Sequence, residues 1–91
     1  MNKHFSIRIK GRVQGVFFRA LTKERADELG VRGFVRNEPD GSVYIEAEAD
    51  ERTLQQFMDW CRQGPPRARV EKLDVNEGDR KDFASFELRR D

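Results

Sequence analysis

Phe5-Ser6-Ile7-Arg8-Ile9-Lys10-Gly11-Arg12-Val13-Gln14-Gly15-Val16-Phe17-Phe18-Arg19-Ala20-Leu21-Thr22 is where the hydrophobic period of this 91-residue chain changes, and the change decides the architecture. Phe5, Ile7 and Ile9 alternate with Ser6, Arg8 and Lys10, the two-residue period of a half-buried strand. From Phe18 the period lengthens. Phe18, Leu21, Thr22, Ala26 and Leu29 fall on one side of a helical wheel, and Gly30 stands where a left-handed residue ends a helix. Residues 11–17 form the loop between them, with Gly11 and Gly15 bracketing a short basic segment.

Working outward, Val31–Asn37 reads as a strand, and Val43, Ile45, Ala47 and Ala49 alternate with Tyr44, Glu46 and Glu48 in another. Glu38-Pro39-Asp40-Gly41 joins them as a tight turn, because Pro presets φ and Gly accepts a positive one. Asp50 can cap a second helix, whose stripe Leu54, Phe57, Met58 and Cys61 has the spacing of a core face. Gly64-Pro65-Pro66 stops it. Two strands follow, around Leu73 and Val75 and around Phe86 and Leu88, separated by a polar turn at Asn76-Glu77-Gly78-Asp79.

The order β-α-β-β-α-β plus a short terminal strand predicts an α+β domain of the ferredoxin-like, split βαβ kind. The sheet is mostly antiparallel with two helices on one face, and a single domain spans residues 1–91. In that topology the first two strands run parallel with the third between them, so their C-terminal ends share an edge. The 11–17 loop, the start of the first helix and Asn37 should meet there, across roughly 10 Å.

Composition removes several functional classes. Hydrophobic residues make up 36% and charged residues 38%, with seven Phe, which fits a folded, well-solvated domain. No apolar run approaches the ~20 residues of a membrane span, and Met1-Asn2-Lys3-His4 has no apolar signal region. A single cysteine, Cys61, fits a reducing cytoplasm, and with one His it makes no zinc or iron–sulfur ligand set. His-dependent nucleophilic catalysis would have to use His4. His4, Cys61 and Trp60 read instead as structural: a frayed or strand-edge residue, a core thiol and a partly exposed helix residue. The net charge of +1 hides an asymmetry: residues 1–23 hold Lys3, Arg8, Lys10, Arg12, Arg19 and Lys23 and no acid. The rest carries the other 12 of 18 basic residues against 17 acids, a balance of −5. That pattern suggests a local anion site, or simply six charges facing water.

The loop supplies a candidate for such a site. Gly15 lets the backbone turn so that the N–H groups of Gly15, Val16, Phe17, Phe18 and Arg19 aim at one spot, with the positive end of a helix dipole behind them. No Gly-Lys-Ser/Thr follows, so it is not a Walker loop, and many glycine turns merely turn. Arg19 adds weight. A cation in the first helical turn opposes the dipole, and its i+4 neighbour Lys23 is a second cation. A bound anion would relieve both penalties, and the Arg fork suits phosphate oxygens; the alternative is an Arg folded back onto a distant carboxylate. Asn37, at a strand end on the same edge, is either a plain turn former or an amide that holds a water against a bound phosphate.

Gly11-Arg12-Val13-Gln14-Gly15-Val16-Phe17-Phe18-Arg19 resembles the first signature of the acylphosphatase family, G-x-V-Q-G-V-x-F-R. Gly33-Phe34-Val35-Arg36-Asn37 with Gly41-Ser42-Val43 is similar to the second, G-[FYW]-[AV]-[KR]-N-x-x-x-G-x-V. The similarity covers essentially the whole chain; Ala49 stands where the family often has Gly, late in a strand and away from the loop. The resemblance implies that Gln14, Gly15, Val16, Phe17, Phe18 and Arg19 form the phosphate-binding loop. It further implies that Arg19 and Asn37 are catalytic, Arg19 gripping the phosphoryl group and Asn37 positioning the attacking water. The implied reaction is hydrolysis of an acyl phosphate to a carboxylate and inorganic phosphate, with no metal, no cofactor and no phosphoenzyme. In some members the C-terminal carboxylate fixes the Arg; Asp91 lies one residue past the equivalent end, so that contact is not carried over.

The residues the chain lacks agree with this chemistry. A carboxylate leaving group, with a conjugate-acid pKa near ~4, departs without a general acid. Positioning and electrostatic stabilisation can then supply much of the acceleration. The expected partners are a small-molecule acyl phosphate and inorganic phosphate or sulfate as product-like ligands. Neither nucleic acid nor membrane is expected, and a monomer is the expected state. Two other readings remain. A nucleic-acid module would stack bases on an open sheet face, but the face expected here carries Arg8 and Lys10 beside Glu46 and Glu48, with only Tyr44 and Phe34 to stack. A non-catalytic phosphate-ligand module would share the loop and have no use for Asn37.

Overall fold

The structure is a computed structural model and describes residues 2–90. Its elements are β1 (Asn2–Arg12), α1 (Phe18–Leu29), β2 (Arg32–Asn37), β3 (Val43–Asp50), α2 (Glu51–Gln63), β4 (Arg69–Gly78) and β5 (Phe86–Leu88). They form a five-stranded sheet in the order β4-β1-β3-β2-β5. β1 and β2 each pair antiparallel with β3, so they run parallel to one another, while β5 lies parallel to β2. This is the expected ferredoxin-like α+β arrangement.

Helix bounds follow local signals. α1 spans the expected residues and ends on Gly30 at φ 78°. Phe18, Thr22 and Ala26 are its buried face, with Leu21 and Leu29 half-buried at the margin. The Asp50 carboxylate accepts the Thr53 N–H at 2.8 Å, capping α2, and Leu54, Phe57, Met58 and Cys61 are all buried. These faces meet Ile7, Ile9, Val35 and Ile45 from the sheet in one core. Among the described residues no helix is long and apolar enough to cross a membrane.

Strand ends depart from the local reading. β1 continues to Arg12 through a bulge at Lys10 and Gly11. Gly11 sits at φ 130°, where a β-carbon would collide with the Arg69 carbonyl. The polar run Asn76-Glu77-Gly78 is strand rather than turn, because β1 supplies its ladder partners: Ser6 faces Asn76 and His4 faces Gly78. An exposed edge strand has no apolar period to announce it.

The larger correction concerns Glu46 and Glu48. They were expected on a solvated face, yet they are only 7% and 1% exposed. His4, expected to fray, is buried between them, with Nδ1 2.7 Å from Glu48 Oε2 and Nε2 3.1 Å from Glu46 Oε1. The β4–β5 connection closes over the group. Its Lys81 and Phe83 N–H groups donate to Glu48, and Lys81 Nζ reaches Glu46 at 2.9 Å. Burial pushes the Glu48 carboxyl up, but hydrogen bonds from the Lys81 N–H, the His4 ring and the Phe83 N–H outweigh it and hold it below the ordinary range. The segment anchored in this way is the one that delivers β5 to the sheet edge.

Candidate active site

The β1–α1 loop alternates anchors and turns. Val13 and Val16 are buried at 1% and 9% exposure and tie the loop to the core. Gly15, at φ 72°, turns the chain between them. Phe17 then takes a left-handed conformation, φ 62° and ψ 21°, before α1 begins at Phe18. Such a conformation costs a non-glycine residue about 1–2 kcal/mol, a strain of the kind that clusters at functional sites. Phe18 is buried and meets Trp60 edge-on at 5.9 Å, which fixes the start of the helix.

α1 has neither a side-chain N-cap nor an acid in its first turn. Among the described residues, no carbonyl or side chain accepts from the N–H groups of Gly15, Val16, Phe17, Phe18, Arg19 or Ala20. Unused donors at the positive end of a helix dipole favour an anion.

Arg19 stands beside these amides, half-buried, with Nη1 donating to the Arg89 carbonyl at 3.0 Å. It forms no ion pair among the described residues. A neutral acceptor therefore fixes the guanidinium without cancelling its charge; Asp91 lies outside the described residues. The Lys23 charge is met elsewhere. Lys23 Nζ turns to Asp27 at 2.8 Å and to the Phe86 carbonyl at 3.2 Å. Of the six basic residues near the N-terminus, Lys3, Arg8 and Lys23 are paired with acids, and Arg19 is the one that lines a cleft with Asn37.

That cleft holds about 270 Å³. Gly15, Phe17, Phe18 and Arg19 form one side, Asn37 contributes from the end of β2, and Leu88 and Arg90 close the third. Asn37 does not make the adjacent turn. The Glu38 N–H donates to the Ser42 carbonyl, the Gly41 N–H to the Glu38 carbonyl and the Ser42 N–H to Asp40. Among the described residues the Asn37 side chain has no protein partner, so both its donor and its acceptor remain for a ligand or a water. A larger hollow of about 590 Å³ lies between the helices near Leu21 and Trp60, where the Arg25 Nη1 is paired with Glu28.

Two loop residues stand apart. Val16 is in the core, and neither it nor Gln14 lines the cleft. The Gln14 amide instead donates across to the β2–β3 turn, to the Glu38 carbonyl at 2.8 Å and the Ser42 carbonyl at 2.9 Å. Glu38 is itself held by Arg36 at 3.2 Å and Arg8 at 3.4 Å. Gln14 thus ties the loop carrying Arg19 to the turn that follows Asn37. Sequence reasoning also missed the contribution of the C-terminal strand. Leu88, Arg90 and the Arg89 carbonyl reach the site because β5 pairs with β2, and no local pattern signals that pairing.

The family model described as Acylphosphatase matches residues 5–88. The chain is 46% identical over 90 residues to an acylphosphatase of Methylococcus capsulatus, covering 98% of each chain. It is 49% identical over 89 residues to one of Salinibacter ruber, covering 97% of this chain and 94% of the relative. The crystal structure of acylphosphatase from Bacillus subtilis superposes with a TM-score of 0.94 at 34% identity, over 99% of this chain and all 100% of that one.

Proposed function

The chain belongs to the acylphosphatase family of hydrolases, and from that premise we propose that it hydrolyses the carboxyl–phosphate bond of small acyl phosphates with Arg19 and Asn37 as its catalytic residues. The observation that carries this reading is the convergence in one cleft of main-chain donors, a guanidinium steadied by a carbonyl, and an Asn amide, all without a further partner among the described residues.

The phosphoryl oxygens accept from the 14–19 loop amides and from the Arg19 fork, which stabilises charge as the transition state develops. Asn37 holds a water in line with the phosphorus and opposite the leaving carboxylate. The water's proton passes to a phosphoryl oxygen, and the carboxylate leaves as the anion. Among the described residues the cleft lining contains no Ser, Thr, Cys, His, Asp or Glu. That donor set supports direct attack by water without a phosphoenzyme and offers no carboxylate or imidazole to hold a metal. The lone buried thiol of Cys61 supports a cytoplasmic setting, and the chain acts as a monomeric single domain.

A nucleic-acid role finds little platform. Phe34 is 4% exposed, and the Arg89 guanidinium already covers its ring at 3.8 Å. A non-catalytic phosphate binder is separated by experiment. Purified protein should hydrolyse benzoyl phosphate in excess EDTA. Arg19→Ala should cost about 10²–10³-fold, chiefly through weaker phosphate binding. Asn37→Ala should lower kcat about 10²-fold with KM largely kept. Equal damage to kcat and KM in the Asn37 variant would contradict its role.

A further inference from the structure

Phe17 enters the chemistry above only through its main-chain N–H. Of the seven phenylalanines it alone lies in the open, at 70% exposure. Its left-handed backbone, φ 62°, is one that Gly or Asn adopts with less strain, so neither packing nor conformation explains an aromatic ring at this position. The ring lines the same cleft as Arg19 and Asn37. Leu88 supplies a second apolar group there, held in place by the pairing of β5 with β2 opposite Val35. The cleft's 270 Å³ lies just below the ~300–1,000 Å³ usual for ligand cavities. A phosphoryl group on the loop amides therefore leaves room for a modest acyl substituent beside the ring.

We propose that Phe17, with Leu88, forms the acyl subsite, so that this chain favours acyl phosphates with an aromatic or branched aliphatic acyl group over acetyl-sized ones. The proposal rests on the acylphosphatase reading of the cleft. The acyl carbon is joined to the phosphorus through one bridging oxygen, so once the phosphoryl group is seated the substituent must emerge near the rim of the loop. An apolar substituent gains by covering the exposed ring, and an aromatic one gains further from an offset or edge-on ring contact. Acetyl phosphate offers a single methyl to the same wall. Such contacts are remote from the reacting bond, so they raise kcat/KM for one substrate class over another without altering the chemistry.

The test is kcat/KM for benzoyl phosphate and for acetyl phosphate in the unaltered protein, Phe17→Ala and Phe17→Leu, all in EDTA. The quantity to compare is the benzoyl-to-acetyl ratio, because any disturbance of the loop amides lowers both rates and cancels. The ratio should fall about five- to tenfold in Phe17→Ala and recover most of the way in Phe17→Leu. A ratio unchanged within twofold in Phe17→Ala overturns the acyl subsite while leaving the hydrolase reading intact. If the unaltered protein hydrolyses neither compound, the hydrolase reading fails and the subsite fails with it.

Discussion

Replacing Gln14 tests the claim that the two halves of the site are joined by one side chain. Its Nε2 donates two hydrogen bonds, at 2.8 and 2.9 Å, to the Glu38 and Ser42 carbonyls. Each carbonyl also accepts a main-chain N–H, from Gly41 and Glu38 respectively. Gln14→Ala therefore strands neither acceptor, and the loss is the net worth of two bonds at ~0.5–1.5 kcal/mol each. With the turn near solvent we expect about 1–2 kcal/mol in urea unfolding, and a Tm lowered by ~4–8 °C for each kcal/mol in a domain of this size. Gln14→Glu carries a sharper signature. At neutral pH it sets an acceptor-only carboxylate against two carbonyl oxygens, so it should be less stable than the alanine variant. Folding then favours the protonated, donating form and raises the folded-state pKa of the introduced carboxyl. The deficit should therefore shrink as pH falls toward ~4. Both variants should also bind inorganic phosphate more weakly, since the loop loses its tie to the turn. Stability within about 0.5 kcal/mol of the parent for Gln14→Ala, or a Glu variant no worse than the Ala variant at pH 7, would refute the brace.

Two further outcomes follow from the buried groups. Glu46 and Glu48 have folded-state pKa values below the ordinary one despite burial, because bonds from Lys81, Tyr44, Phe83 and His4 favour their ionised forms. A carboxyl depressed in this way contributes stability that is complete above its unfolded value of ~4.3 and is lost as pH falls through the folded value. The unfolding free energy should therefore drop more steeply between about pH 5 and pH 3 in the parent than in Glu48→Gln, and parallel curves would exclude the linkage. Burial pushes the Cys61 thiol up, so in the native state it should resist an aromatic disulfide reagent at pH 8 and react at the rate of unfolding. Rapid stoichiometric labelling of folded protein would show the packing around α2 to be open.

Much of the site was legible because it is local. The change of period at Phe18, the Gly30 stop and the Asp50 cap depend on residues within a few positions of one another, and α1 and α2 keep those bounds. The convergence of Arg19 and Asn37 followed from strand order alone, since β3 lies between β1 and β2. Glu46 and Glu48 show where local reading stops. In a two-residue period a carboxylate marks the wet face, yet here donors from His4 and the 79–85 segment make burial tolerable. Those donors lie 33 to 44 positions away from the carboxylates they serve.

From its residues alone the chain determined the split βαβ order, the uncapped amide loop and the placing of an arginine and an asparagine at one sheet edge. Tertiary structure decided how that edge is completed. It seated β5 against β2 so that the Arg89 carbonyl steadies Arg19, sent Lys23 to Asp27, and used the Gln14 side chain as a strut to the β2–β3 turn. The reason is range. Period and capping express energies between near neighbours, whereas a strand's parallel partner or a side chain's acceptor depends on which distant surface the finished packing brings opposite it.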